Sequence, residues 1–235
     1  RELILELAVR GKLVEQDESD EPAFELINRI ERDIDRATKS KAMKKRKLIE
    51  TYGEPHPYQP PTGWVWSQLG KLTAAAENAM CDGPFGSKLK TSHYIPEKGY
   101  AVIRLGNIGV GEFLWGKEGH IPQEHYESLA SNHVDPGDLI VAGMADPIVR
   151  CCEVPTSLGP AVNKADCFRL KVHSELDRTY VMHYLNSPTA RQFAEGDQQG
   201  MTRQRVNLTN TKAMPVPLPP LAEQHRIVSK VDELM

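Results

Sequence analysis

Lysines, hydroxyls and glycines crowd one stretch, CDGPFGSKLKTSHY at residues 81–94, and that mixture is equipped to hold a polyanion. Asp82-Gly83-Pro84 and Gly86 make a tight exposed turn, and a glycine lets main-chain amides come close to a phosphate. Lys88, Lys90 and Thr91 add the charges and the hydroxyl that phosphate contacts use. A second stretch, QQGMTRQRVNLTNTK at residues 198–212, carries Thr202, Arg203, Gln204 and Arg205 and no carboxylate. Arginine pairs with the edge of guanine, and glutamine or asparagine with that of adenine, so this composition suits base reading in a major groove. Both stretches would also serve as polar surface loops without a ligand.

Catalytic parts are harder to find. A metal-dependent nuclease gathers carboxylates around a cation, and VDPGDLIVAGMADP offers Asp135, Asp138 and Asp146. Pro-Gly-Asp ahead of an apolar run is, however, ordinary chemistry for a turn entering a strand, and the turn is favoured. The chain has no GxxxxGK[ST] phosphate loop, and the glycines of GNIGVG, residues 106–111, are wrongly spaced for a dinucleotide loop. It lacks the Asn-Pro-Pro-aromatic or Asp-Pro-Pro-aromatic tetrapeptide with which amino-methylating enzymes hold a flipped base. The histidines form neither HxxxH nor HExxH, and GxSxG is missing. Cys81, Cys151, Cys152 and Cys167 show no CxxC spacing and read as small buried residues in a reduced, cytoplasmic compartment.

The elements that must position these residues can be read from periodicity. RELILELAVRGKLV, residues 1–14, places Leu3, Leu7 and Val14 at helical spacing, and Gly11 weakens or ends the segment. Pro22 opens a second helix whose stripe, Phe24, Ile27, Ile30 and Ile34, runs into the acid-free RATKSKAMKKRK of Arg36 to Lys47 and is expected to fray before Tyr52-Gly53. That basic run fits a solvated helix face or a contact to DNA or a partner. EPHPYQPPTG, residues 54–63, is a boundary, since its prolines remove backbone donors. The short apolar runs WVW, YAVIRL, GDLIVAG and CFRLKV suit strands, and a helix is expected near Arg178 to Leu185 with Asn186-Ser187-Pro188 as its stop. The proline run from Pro215 to Pro220 makes a second boundary before a helix beginning at about Leu221.

In that last helix Leu221, Val228 and Met235 fall seven apart, with Val231 between them and Ile227 beside the seam. The run is too short to separate a coiled coil from one face of a globular helix. The 235 residues suffice for one sizeable core, the net charge is −3, and no apolar run approaches the length of a membrane span.

Taken in order, RELILELAVRGKLV, DEPAFELINRI, GWVWSQLG, DGPFGSKLKTSHY, YAVIRLGNI, PGDLIVAG, YLNSP, NLTNTK and PVPLPPLAEQHRIVSKVDELM resemble the DNA specificity subunit of type I restriction-modification systems. The full family subunit has two target-recognition domains, and this sequence has material for one. The resemblance implies an α+β fold: one compact mixed α/β target-recognition domain flanked by long conserved helices of a coiled-coil spacer. Residues 1–53 would form a conserved helical region, 54–63 a proline-rich linker, 64–214 the recognition domain and 215–235 the start of a spacer helix. The pairing of the two ends suggests the amino-terminal half of a longer subunit.

A non-catalytic reader and scaffold is implied, which contacts one half of a split site on double-stranded DNA. Its partners would be a modification subunit bringing S-adenosylmethionine, a restriction subunit bringing ATP and Mg²⁺, and a second copy if half-subunits pair. Lys88, Lys90 and Thr91 are the candidates for backbone positioning, and Thr202, Arg203, Gln204 and Arg205, with Arg104 and Asn107, for DNA contact. Leu221, Ile227, Val228 and Val231 are the candidates for a partner seam. A self-contained nuclease and a helical adaptor that ignores DNA are the competing readings.

Overall fold

Two apolar faces on one sheet organise the molecule. In β6 (Leu139–Ala142), paired with β7 (Cys151–Glu153), Leu139 and Val141 point one way and Ile140 and Ala142 the other, and all four are fully buried. A strand with no polar face must be covered on both sides. The computed structural model, which describes residues 1–47, 56, 58–144, 146–195 and 205–235, covers one side with a second sheet and the other with helices.

The first sheet has the order β2 (Met80–Cys81), β9 (Cys167–Leu170), β6, β7, and every pair is antiparallel. The second has the order β4 (Gly119–Ile121), β3 (Tyr100–Ile103), β8 (Ala161–Asn163), β5 (His133–Val134), with β3 and β8 parallel. Ala101, Ile103, Val134 and Ala161 of the second sheet meet Ile140, Ala142, Cys152 and Cys167 of the first. Cys151, Cys152 and Cys167 are fully buried, as their small apolar character leads one to expect, and burial pushes the Cys152 thiol up to about 12. A third, smaller cluster lies beyond the second sheet, under α3 (Gln123–Ser128).

On the helical side lie α1 (Glu2–Val9), α2 (Ala23–Lys39), α4 (Arg178–Leu185), α5 (Pro188–Glu195) and α7 (Leu221–Leu234), with α6 (Leu208–Ala213) ahead of the last strand. The first and last helices share one core with the sheet: Leu5, Val9, Leu26 and Ile30 pack with Phe168, Tyr180, Tyr184, Ile227 and Val231. Asp177 caps α4 by accepting from the amides of Thr179 and Tyr180. Among the described residues, no helix is long and apolar enough to cross a membrane.

Three expectations change. The second helix ends at Lys39, so the basic run divides: Arg36 and Lys39 lie in the last helical turn, where the helix dipole favours cations, and residues 41–47 leave it. Arg46 then spends its guanidinium on the carbonyls of Gly70, Thr73 and Ala74, which makes it a structural clamp. The proline run is no mere boundary either. Its first four residues form β10 (Pro215–Leu218), antiparallel to β1 (Val65–Gln68). Residues of alternating parity point to opposite edges, so Val216 and Leu218 pair with β1 while Pro215 and Pro217 face the other way, where no donor is needed. Their carbonyls accept instead from the hydroxyls of Tyr184 and Tyr180.

The third change concerns the expected partner seam. Ile227 and Val231 are fully buried in the chain's own core and offer no surface, and Leu221 and Val228 are half-buried against that core. The polar pair beside them is buried too. Glu223 accepts from Trp64 Nε1 at 2.8 Å and from Gln16 Nε2 at 2.7 Å, and Gln224 bonds the Asp177 amide and the Pro219 carbonyl. The last helix is therefore fastened to the turn before β1, to the segment after α1 and to the cap of α4.

Candidate nucleic-acid interface

Residues 81–94 pack closely against the turn joining β8 to β9. Gly83 lies so near the main chain of Lys164 that a Cβ there would stand 2.1 Å from its carbonyl carbon, a contact only glycine allows. Asp82 Oδ1 accepts from the amides of Gly83 (2.7 Å) and Asp166 (2.9 Å), and Asn132 Nδ2 donates to the Asp82 carbonyl at 2.7 Å. Leu89 is buried and anchors the loop from below. Lys88, Lys90 and Thr91 stay exposed around that anchor.

Tyr94 ends the loop and collects cations. Lys164 Nζ stands 5.4 Å and Arg104 Cζ 6.0 Å from its ring centroid, within or at the range of a cation–π contact. Arg104 Nε donates to the Lys117 carbonyl at 2.6 Å. On the other flank of the turn, Arg205 bonds Asp166 Oδ1 at 2.9 and 3.0 Å, with its neighbour Val206 held to the Gly143 carbonyl. The Lys164-Ala165-Asp166 turn thus joins the two stretches that the sequence singles out: one reaches it through Asp82 and Gly83, the other through Arg205.

Two carboxylates, Asp82 and Asp166, meet at this turn. Burial raises the Asp82 carboxyl to about 6, against the donated amide bonds that favour its charge. A folded-state value above the unfolded one means that the contribution is full below the unfolded value near 3.8 and is lost as pH rises through about 6. Asp82→Asn keeps an acceptor for both amides and removes the charge. It is expected to flatten the stability profile between about pH 4 and 6 and, with the partly exposed carboxyl screened by solvent, to raise stability at pH 7 by about 1 kcal/mol. Urea denaturation at several pH values reads both.

Other predicted residues lie elsewhere. Asn107 is fully buried: its Oδ1 accepts from the Arg104 amide, and its Nδ2 donates to the Leu114 carbonyl and to Glu118. It cannot touch DNA, and its place in the structure is to hold the following loop. Thr202, Arg203 and Gln204 fall outside the described residues. Asp138 caps its own turn by accepting from the Asp135 amide, and Asp135 pairs with Lys171. Among the described residues, no three side chains of His, Cys, Asp or Glu converge as a metal site would require. Tyr94, Lys117 and Lys164 were not singled out from the sequence. For Lys164 the signal was the polar Asn-Lys-Ala-Asp between two apolar runs; for the other two, contact across the fold is what counts.

Comparison with known proteins shows what this chain is similar to. Residues 159–235 match the model of the type I restriction modification DNA specificity domain. Over its whole length the chain is 28% identical to the EcoAI specificity subunit of a type I restriction enzyme of Escherichia coli, covering 39% of that protein. It is 25% identical, over 99% of its length, to the EcoEI specificity subunit from the same organism, again covering 39% of it. The chain therefore spans about two fifths of the length of these curated relatives. Among solved structures, the HsdS subunit from Thermoanaerobacter tengcongensis aligns with a TM-score of 0.54 at 19% identity, covering 90% of this chain and 46% of that one. A chain from work on complex assembly and conformational transition of the type I R-M system aligns with a TM-score of 0.54 at 20% identity, covering 89% and 45%. At such identities the structural likeness bears on the fold alone, and the mixed α+β architecture agrees with it. A coiled-coil spacer does not follow from either.

Proposed function

We infer that this chain carries one recognition domain of a type I DNA specificity subunit and that it reads one half of a bipartite site on double-stranded DNA. The observation that carries the reading is the meeting of the two basic stretches at the β8–β9 turn. Arg205 pairs with Asp166 of that turn, Tyr94 gathers its Lys164 with Arg104, and Lys88, Lys90 and Thr91 are exposed on the loop whose Asp82 and Gly83 pack against it, although the chain as a whole is slightly acidic. Local field, not net charge, decides what a phosphate backbone meets.

On this reading the chain does no chemistry. Methyl transfer from S-adenosylmethionine belongs to a modification subunit docked on it, and the ATP- and Mg²⁺-dependent steps to a restriction subunit. The terminal helices share a core with the recognition sheets, so the direction in which they hold partners is fixed relative to the DNA face. Rigid elements set such geometry better than loops do.

Sequencing the sites methylated when the chain is co-expressed with its modification subunit tests the proposal. A defined interrupted site is expected, and a symmetric one would indicate that two copies act together. Methylation with no defined site, or none above that of the modification subunit alone, would sink the reading. Within that complex, Lys88→Ala with Lys90→Ala is expected to weaken binding about tenfold on matched and mismatched duplexes alike. The slope of log affinity against log salt should become shallower by about two, one counterion release per lost phosphate contact.

A further inference from the structure

The loop that Asn107 holds presents two large apolar side chains to solvent. Leu114 is 39% and Trp115 52% exposed, and they are adjacent in the chain. A lone exposed leucine calls for no explanation, but a neighbouring pair on a braced loop does. The bracing is extensive. Asn107 Nδ2 donates to the Leu114 carbonyl and its main-chain carbonyl accepts the Leu114 amide, at 2.9 and 2.8 Å. Ile108 bridges Phe113, and Arg150 Nε donates to the Ile108 carbonyl at 2.7 Å. The Gly111 amide reaches the Cys151 carbonyl on β7 at 2.9 Å, which ties the loop tip to the first sheet. Phe113 meets the Trp115 ring edge-on at a centroid distance of 5.1 Å, so the indole itself is oriented.

The position of this pair tells what it faces. Two residues beyond Trp115, the Lys117 carbonyl accepts from Arg104, whose guanidinium lies over Tyr94 beside Lys164. The exposed indole is thus two residues along the chain from the Lys117 carbonyl that Arg104 bonds, next to the cation cluster that the proposed function assigns to DNA. A protein partner would be served by the apolar surface alone; the adjoining cations match a polyanion that also has flat apolar faces. A nucleic acid offers both. Minor-groove proteins use apolar wedges between base steps next to basic side chains, and aromatic rings stack on bases without reading their edges.

We propose that Leu114 and Trp115 form a wedge that inserts against the base stack of the bound duplex, with Trp115 stacking on a base while Arg104, Lys117 and Lys164 hold the flanking phosphates. Asn107 acts through them as a positioning residue. The inference rests on the DNA-reading function and adds to it a contact that favours a deformable step over a particular base.

The test uses the chain in complex with its modification subunit and a duplex bearing the site found by methylation sequencing. Trp115→Ala should weaken binding about tenfold with the salt slope unchanged, because a stacking contact releases no counterions. Trp115→Phe should recover most of that loss. With 5-iodouracil placed at the thymines of the duplex, irradiation should give an adduct that maps to residues 114–115. Equal affinity for parent and Trp115→Ala, or a loss accompanied by a shallower salt slope, would overturn the wedge while leaving the DNA reading in place. Loss of assembly with the modification subunit at unchanged DNA affinity would assign the pair to a protein interface instead. A parent complex that binds no duplex overturns both the reading and the wedge.

Discussion

Ile227→Ala is expected to lower the stability of the chain by about 2–5 kcal/mol, measured on the chain alone by urea denaturation. The side chain is fully buried in a helix that packs on α1 and α4, so truncation loses transfer free energy and leaves a cavity. Collapse around that cavity is resisted from several directions, because Leu5, Tyr180 and Val231 belong to different elements. Val228, one position along and half-buried, should respond by about 1 kcal/mol or less to the same change. The contrast separates two roles for the same heptad-like pattern. A seam reserved for a partner would leave the isolated chain unaffected, and a loss below about 0.5 kcal/mol would put Ile227 on a surface after all.

That pattern shows where sequence reading stopped. Apolar spacing identifies a buried stripe but not what covers it, and a helix packed on its own domain repeats as a coiled coil does. The strands were legible for a better reason. WVW, YAVIRL, GDLIVAG and CFRLKV are short and largely apolar; the last three each contain an observed strand, and WVW overlaps one that runs on to Gln68. The helix at Arg178–Leu185 was legible because its apolar residues run up to the stop Asn186-Ser187-Pro188; the Asp177 cap is seen only in the structure. The run from Pro215 to Pro220 read as a boundary, and its first four residues can nonetheless form a strand because the carbonyls of Pro215 and Pro217 point to Tyr184 and Tyr180 and not to β1.

Polar residues were misjudged in the same way. Asn107 carries the amide that reads adenine in other settings, yet here both ends of that amide are consumed by the loop it closes. Asn186 does the same for β7, exchanging hydrogen bonds with the Cys151 amide and carbonyl and so completing an edge strand. Composition cannot tell an amide aimed at a ligand from one aimed at the backbone, because the difference lies in burial. What composition did convey was the pairing of two basic, acid-poor stretches. Their meeting at the β8–β9 turn depends on β2 pairing with β9 and on the bridge from Met144 to Arg205, long-range pairings that no local pattern encodes.

Tyr180 and Tyr184 provide the second large effect. One helical turn apart on α4, they donate to the carbonyls of Pro217 and Pro215, and both rings are fully buried. Phenylalanine keeps the ring and its packing, so Tyr180→Phe and Tyr184→Phe isolate the hydroxyl. Each should cost about 1–3 kcal/mol, since each leaves a buried carbonyl with no alternative donor from a proline strand. The pair lies on one helix face against one strand, so the double variant is expected to depart from additivity. Burial holds both phenols well above their ordinary range, so they stay protonated donors, and the loss should be the same from pH 6 to pH 9. A loss that varied over that interval would mean that another titrating group mediates it. β10 leads directly into α7, and these two hydroxyls tie it to α4. Their removal should loosen the direction of the last helix before it unfolds the two sheets, so hydrogen exchange should rise first in Pro215 to Leu234 and later around Tyr94.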